Sequence, residues 1–225
     1  MAIQDTLLKT RAWIRLPSGK HLDLINPDPQ AWLDSDLADR LSRTYRWGGE
    51  SCWARPLSVA QHSLNVLALR STMTDTALHA GEALRELLHD GEEGLLAFDC
   101  ISPLKAVLGA PFKEVSDRLT DAIVKRYQLP VWNDIDYKWH KLADELIAAS
   151  EAVHCAGWPR NEVLDVLGIK LPILEDDPLA SIYDCQPWEP WAPDVACERF
   201  LVKMLSLNSH ASHAPGRLPM QSTQL

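Results

Sequence analysis

Four ionisable side chains stand inside otherwise apolar stretches of this 225-residue sequence: His62, the adjacent pair His89 and Asp90, and Asp144. Burying such a group costs free energy unless it is paired or binds a metal, so these positions need a physical reason. Imidazole nitrogens and carboxylate oxygens are ligands of divalent cations. Four of them from three helices can enclose a cation and leave room for water and phosphate. The pattern indicates a hydrolytic metal site.

Histidines also have a more ordinary interpretation. A lone histidine in a helix is more often a hydrogen-bonded core residue than a metal ligand. The remaining histidines lie in turns, beside charged residues or near the C-terminus, and they are interpreted as surface or structural residues: His21, His79, His140, His154, His210 and His213.

The order of the four residues and the sequence around them resemble the H…HD…D pattern of the HD-domain metal-dependent phosphohydrolases. The matching segments are 58–63 (SVAQHS), 87–93 (LLHDGEE) and 141–144 (KLAD). Within that superfamily, residues 13–207 are most similar to the 5′-deoxynucleotidase branch, whose members are called YfbR-like or YfdR-like. The resemblance implies an HD-domain helical bundle, commonly a homodimer. It also implies one divalent cation held by four residues: His62, His89, Asp90 and Asp144.

Further matches imply roles for residues near these ligands. Arg46 and Trp47 precede His62 as an Arg-Trp pair does in the deoxynucleotidases, which implies phosphate binding by Arg46 and sugar selection by Trp47. A planar guanidinium suits phosphate oxygens, and an indole wall could exclude a 2′-hydroxyl. A surface arginine and a core tryptophan are the alternative. Glu93, three residues after Asp90, matches an acidic residue implicated in proton transfer.

The segment 97–105 (AFDCISPLK) resembles the family segment G-D-[IL]-P-x-P-[LV]-K. The match implies that Asp99 and Lys105 lie near the site, where they contact either the substrate or the residues that surround it. The sequence departs from the pattern at Phe98 and Ile101, which replace the usual glycine and proline. Glu151, two helical turns after Asp144, matches a glutamate of relatives, and a structural ion pair is its alternative interpretation.

These implied roles lead to one main functional hypothesis. The cation binds the 5′-phosphate of a deoxynucleoside monophosphate and lowers the pKa of a water that attacks phosphorus, with Asp90 and Glu93 as catalytic residues and Arg46 holding the phosphate. One alternative is a deoxynucleoside triphosphate triphosphohydrolase, and another is a nucleotide-binding protein with little turnover. The donor set does not choose among Mn, Co, Fe, Zn and Mg.

The elements that carry these residues are predicted to be helices, so the fold class is all-α. A small hairpin is predicted over 13–23, with its turn at 17–20. Apolar periodicity and turn residues then predict helices over 37–43, 57–70, 76–89, 113–127, 136–155, 162–167 and 192–207. Ser102 and Pro103 are predicted to open a separate short helix before 113–127. No linker divides the chain, which predicts one domain over 1–207, and the polar segment 208–225 is predicted to be disordered.

Composition narrows the functional classes. The 22 Lys and Arg against 31 Asp and Glu give a formal charge of −9, which disfavours a nucleic-acid polymer as partner. A small-molecule nucleotide is the expected partner. The sequence has no signal pattern and no apolar run long enough for a membrane span, so a cytoplasmic protein without membrane association is expected.

Overall fold

The structure is a computed structural model that describes residues 12–212. It begins with an antiparallel hairpin of two strands, β1 (Trp13–Arg15) and β2 (His21–Asp23), in which Ile14 pairs with Leu22. The predicted hairpin is therefore confirmed. Leu22 is fully buried, so one face of the hairpin packs on the helical core.

Helices make up most of the remaining described chain. In order they are α1 (Asp34–Arg43), α2 (Val59–Arg70), α3 (Ala80–Leu87), α4 (Gly91–Leu96), α5 (Ser102–Tyr127), α6 (Asp134–His154), α7 (Arg160–Asp165), α8 (Ala180–Tyr183) and α9 (Pro193–Ser212). A short 3₁₀ turn, Trp47–Gly49, lies between α1 and α2. The predicted helical character of the chain is confirmed.

The helices that carry the presumed ligands pack against one another. Helix α2 packs on α3 and α6, and α4 packs on α1 and α5. Helix α2 is buried around most of its circumference because its polar residues are few and face other elements. Gly94 in α4 lies so close to α1 that a Cβ atom there would stand 2.6 Å from the side chain of Leu41. Glycine at this position therefore fixes the separation of α1 and α4.

Side-chain caps set the starts of the two long ligand-bearing helices. Ser58 accepts a hydrogen bond from the amide of Gln61 at the start of α2, and Asn133 accepts from Ile135 and Asp136 at the start of α6. Helix α1 begins in a different way. Residues 34–36 lie inside the first turn, where Asp36 accepts from the amide of Leu33 at 2.8 Å.

Several predicted boundaries were wrong. The predicted helix 113–127 is the second part of the longer α5, which bends at Gly109, a residue with φ 65° and ψ −150°. Helices α4 and α8 were not predicted, because six and four residues are too few to show a helical period. Helix α9 continues to Ser212, so 208–212 are helical and not disordered. The rest of the predicted disordered segment, 213–225, lies outside the described residues.

None of the described helices is both long enough and apolar enough to cross a membrane.

Candidate metal centre

His62 occupies the second turn of α2, and its side chain is fully buried. Its Nδ1 lies 3.0 and 3.1 Å from the two carboxylate oxygens of Glu151 on α6. A carboxylate accepts, so Nδ1 carries the proton in this contact and Nε2 presents its lone pair on the other side of the ring. Glu151 therefore fixes both the orientation and the tautomer of His62.

His89 and Asp90 lie between the end of α3 and the start of α4. The Nδ1 atom of His89 donates to the backbone carbonyl of Glu86 at 2.8 Å. A carbonyl can only accept, so this ring also has its Nε2 atom free of a proton when it is neutral. The two histidines are held in the same way, by an acceptor at Nδ1, although the acceptors come from different elements.

Each presumed histidine ligand lies within 4.0 Å of both presumed aspartate ligands. The Nε2 atom of His62 lies 3.6 Å from Oδ2 of Asp90 and 3.3 Å from Oδ1 of Asp144. The Nε2 atom of His89 lies 3.2 Å from Oδ2 of Asp90 and 4.0 Å from Oδ1 of Asp144. Helix α2, the α3–α4 junction and α6 thus each contribute to one cluster, as the sequence predicts for a cation site.

Electrostatics at the cluster favour positive charge. Burial would lower the pKa of His89, but the adjacent Asp90 carboxylate raises it to about 10. Burial and Arg46 would likewise lower the pKa of His62, but Glu151 and Asp144 raise it. Burial would raise the pKa of Asp90, yet His89 holds it well below its usual range. These carboxylates draw protons onto the imidazoles, and a divalent cation can replace that positive charge.

The residues present fit a divalent cation. Both Nε2 atoms are buried, and neither has a hydrogen-bond partner within residues 12–212. Such atoms are rare in folded proteins unless something else satisfies them. Ligand atoms of His62, His89 and Asp90 all lie within 4.8 Å of one another. Two imidazole nitrogens with carboxylate oxygens suit Zn²⁺, Mn²⁺, Fe²⁺ or Co²⁺, and their Nδ1 contacts supply the orienting partners that such ligands require.

Arg46 and Trp47 stand on the α6 side of the cluster. The Nε atom of Arg46 donates to Glu151 at 3.0 Å, and one terminal nitrogen lies 3.8 Å from Oδ2 of Asp90. Trp47 has a positive φ of 58° and packs with Trp158 in a small apolar cluster. Its Nε1 atom is buried and has no hydrogen-bond partner among the described residues. The structure thus brings Arg46 to the ligands and leaves a donor on Trp47 unused.

Acidic residues of α4 also lie near the cluster. Glu92 and Glu93 are buried, although sequence reasoning without the family pattern places them on a solvated helix end. Burial and the charge of Asp90 raise the pKa of Glu93 to about 9 and that of Glu92 to about 7. The ammonium group of Lys105 lies 3.2 Å from Oε1 of Glu93. Asp99 is half-buried, and its charge acts on Glu93 and on Arg46.

A second buried polar cluster lies behind His89, and the sequence analysis did not identify it. We call it the Glu86 cluster, and its members are Arg70, Arg85, Glu86, Asp136 and His140. Nδ1 of His140 lies 2.8 Å from Oε2 of Glu86, and Nε of Arg70 lies 3.4 Å from Oε1. His140 is 5 % exposed and is therefore a structural residue, not a surface one. Its spacing of four residues from Asp144, one turn of the same helix, was the available signal.

Comparison with known proteins identifies a relative but not an activity. No protein-family model matches the chain. The chain is 36% identical over 165 residues to an uncharacterized protein of Rhodobacter capsulatus, and the alignment covers 73% of this chain and 83% of that protein. The two proteins belong to one family. Because that family member is itself uncharacterized, the function has to be argued from the site.

Proposed function

We propose that this protein is an HD-domain phosphohydrolase that uses one divalent cation to hydrolyse a deoxynucleoside 5′-monophosphate to the deoxynucleoside and phosphate. The observation that carries the proposal is the pair of buried Nε2 atoms on His62 and His89, which face the Asp90 and Asp144 carboxylates and have no hydrogen-bond partner within residues 12–212. These four residues hold the cation. When bound, it neutralises phosphate charge and lowers the pKa of a water.

Arg46 binds and orients the phosphate in this proposal. Its Nε atom is fixed by Glu151, while its terminal nitrogens extend towards Asp90. The field of the surrounding carboxylates raises its pKa despite burial, so the guanidinium is charged at every relevant pH. A fixed, charged fork of this kind matches phosphate oxygens and stabilises the charge that develops during phosphoryl transfer.

Glu93 supplies the proton. The reaction forms a bond between a water oxygen and phosphorus and breaks the bond to the 5′-oxygen, which must then take up a proton. Because the pKa of Glu93 is raised to about 9, its carboxyl group carries a proton at neutral pH and can donate it to that oxygen. Lys105, 3.2 Å from Oε1 of Glu93, keeps the carboxyl group in place.

Trp47 distinguishes the sugar. It is adjacent to Arg46 in the chain and its ring packs with that of Trp158. Its buried Nε1 has no hydrogen-bond partner within residues 12–212 and can donate to a substrate oxygen. An indole packed in this way has little freedom to move away from a 2′-hydroxyl. In this proposal the deoxyribose preference rests on Trp47, and Asp99 contacts the same part of the substrate.

Product analysis tests this function. Purified protein loaded with Mn²⁺, Co²⁺, Fe²⁺, Zn²⁺ or Mg²⁺ is incubated with deoxynucleoside and ribonucleoside mono- and triphosphates, and products are resolved by ion chromatography. We expect inorganic phosphate from deoxynucleoside monophosphates and none from the His89→Ala variant. Tripolyphosphate from a triphosphate would replace the proposed reaction with triphosphate hydrolysis. Nucleotide binding without any product would contradict an enzymatic role.

A further inference from the structure

An open cavity of about 320 Å³ lies at the far end of α4 from Asp90, between the hairpin and the end of α1. We call it the arginine pocket. Its charged lining residues are Arg15, Asp39, Arg40 and Arg43, and Leu16 and Ala97 form part of its apolar wall. None of these residues belongs to the candidate metal centre. The volume is within the range of about 300–1,000 Å³ that is usual for small-molecule sites.

The arginines of this pocket are only partly balanced by the protein. Arg43 pairs with Asp39 at 3.0 Å. Within residues 12–212, the side chain of Arg15 has no ion pair or hydrogen bond, and that of Arg40 donates only to two backbone carbonyls. Burial lowers the pKa of Arg40, which is the effect expected for a desolvated cation that lacks a close carboxylate partner. Three arginines and one aspartate leave a net charge of +2 in a chain whose formal charge is −9.

The chemistry of the lining selects a ligand class. Guanidinium groups bind phosphate oxygens with paired hydrogen bonds, and a dianionic phosphoryl group would balance the net charge, whereas one carboxylate would not. The small apolar wall leaves room for a compact organic group. We propose that the arginine pocket binds a small phosphorylated molecule and that its occupancy is coupled through Arg40 to α4 and the candidate metal centre.

The coupling follows from what Arg40 contacts. Its Nε and Nη2 atoms donate to the carbonyls of Gly94 and Leu95, at 2.7 and 3.1 Å, and so cap the C-terminus of α4. The same short helix begins next to Asp90 and carries Glu93. A ligand that orders Arg40 therefore orders the helix whose other end supplies the presumed catalytic carboxylates.

Site-resolved binding of inorganic phosphate tests the proposal. Full-length, chelator-treated protein labelled with ¹⁵N is titrated with phosphate while the amide signals of Thr44 and Ala97 are followed. We expect a saturable shift of both signals. The double variant Arg15→Ala/Arg43→Ala should bind about 100-fold more weakly, because it loses two charged hydrogen-bonding groups. Arg40 is left intact in this variant because it caps α4.

A matched control removes the same charge elsewhere. The variant Lys125→Ala/Lys170→Ala loses two exposed cations outside the pocket and should bind phosphate like the unmodified protein. Equal affinity of both double variants would overturn the proposal. So would shifts confined to the amides around Arg46 and Lys105, which would place phosphate at the candidate metal centre instead.

Hydrogen exchange tests the coupling itself. Phosphate should slow amide exchange over 91–96 in the unmodified protein and leave it unchanged in the arginine double variant. Unchanged exchange at saturating phosphate would overturn the coupling. This test does not depend on hydrolysis, so its result is independent of whether the proposed enzymatic function holds.

Discussion

The candidate metal centre and the Glu86 cluster are built from the same kinds of side chains, and their rings at His89 and His140 are only 4.9 Å apart. In the Glu86 cluster each carboxylate faces at least one arginine of the protein. Glu86 contacts Arg70 and His140, and Asp136 contacts Arg70 and Arg85. Arg85 also stacks on Trp132, with its guanidinium carbon 3.6 Å from the ring centroid. The arginines of the protein can therefore balance the negative charge of this cluster without a bound cation.

The metal centre differs in its charge balance. Among the described residues, the carboxylates at or beside it outnumber the arginines and lysines that contact them. The acids are Asp90, Glu92, Glu93, Asp99, Asp144 and Glu151, and the bases are Arg46, Lys105 and Lys141. An excess of buried negative charge is unfavourable unless protons or a cation compensate it. The comparison teaches that the presence of buried histidines and acids does not distinguish a metal site, whereas their unbalanced charge does.

The largest effect should come from breaking the balanced cluster. Glu86→Ala leaves Arg70 buried without its glutamate partner, which we expect to lower the free energy of unfolding by about 3–5 kcal/mol. Chemical denaturation measures this, with Glu198→Ala on the exposed face of α9 as control. The backbone carbonyl that holds His89 is retained, so folded protein should still bind a cation. Full stability with lost cation binding would reverse the assignment of the two clusters.

Removing one acid from the candidate metal centre should instead affect cation binding more than stability. Asp90→Asn should weaken Mn²⁺ or Co²⁺ binding by more than about 100-fold, because a presumed ligand is lost. The stability of the chelator-treated protein should fall by less than that of Glu86→Ala, because the loss of the pairing between Asp90 and His89 is partly offset by the removal of one of the excess negative charges. Metal content and thermal denaturation give the two readouts, and Asp121→Asn on the exposed face of α5 is the matched control. A variant that retains its cation and full turnover would contradict the role of Asp90.

Glu151→Gln should have a smaller effect on the same affinity. Glu151 does not face the centre directly but orients His62 through Nδ1 and Arg46 through Nε. Losing an orienting partner of a metal-ligating histidine costs about 10–100-fold in affinity. Glu145→Gln makes the same substitution on an exposed position of α6 and should change nothing. If the two variants bind cations equally well, Glu151 is only a structural ion-pair partner.

The two clusters also show how far the sequence could predict this site. His62, His89, Asp90 and Asp144 were found because each interrupts an apolar helical stretch, and the structure brings them together. Helix periodicity was sufficient for α2 and α6, whose boundaries were predicted within two residues. Their roles as ligands stay a prediction, as do those of Arg46, Trp47, Asp99 and Lys105.

Other features could not be predicted, because they depend on long-range packing. Glu86 lies in a helix where a glutamate is ordinarily exposed, and only the arrival of α2 and α6 buries it against Arg70 and His140. The burial of Glu92 likewise depends on α5, whose Ser116 hydroxyl lies 3.4 Å from its carboxylate. The local sequence pattern predicts which face of a helix is apolar, but it does not predict which distant helix packs against that face.

The smallest expected effect concerns Glu93 and the way in which the free energy of unfolding changes with pH. Its pKa in the folded protein, about 9, is above its ordinary value of 4.5 because of burial and the charge of Asp90. The folded state therefore holds this proton more tightly than the unfolded state. The resulting stability is fully present below about pH 4.5 and is lost as the pH rises towards 9.

Glu93→Gln keeps the side chain neutral at every pH, so the variant should not lose this stability as the pH rises. At pH 8 we expect chelator-treated Glu93→Gln to be more stable than the unmodified protein by at least about 1 kcal/mol, which corresponds to roughly 2–4 °C in Tm. Near pH 4.5 the difference should vanish. The lost contact with Lys105 costs little because that side chain is 45% exposed.

Adding Mn²⁺ should narrow the difference in stability between Glu93→Gln and the unmodified protein at pH 8, because a cation beside Asp90 offsets one cause of the raised pKa of Glu93. An equal gain in Tm at pH 4.5 and pH 8 would contradict this prediction. It would show that the negative charge around Glu93 is already balanced in the cation-free protein, so that the metal centre and the Glu86 cluster no longer differ in charge balance.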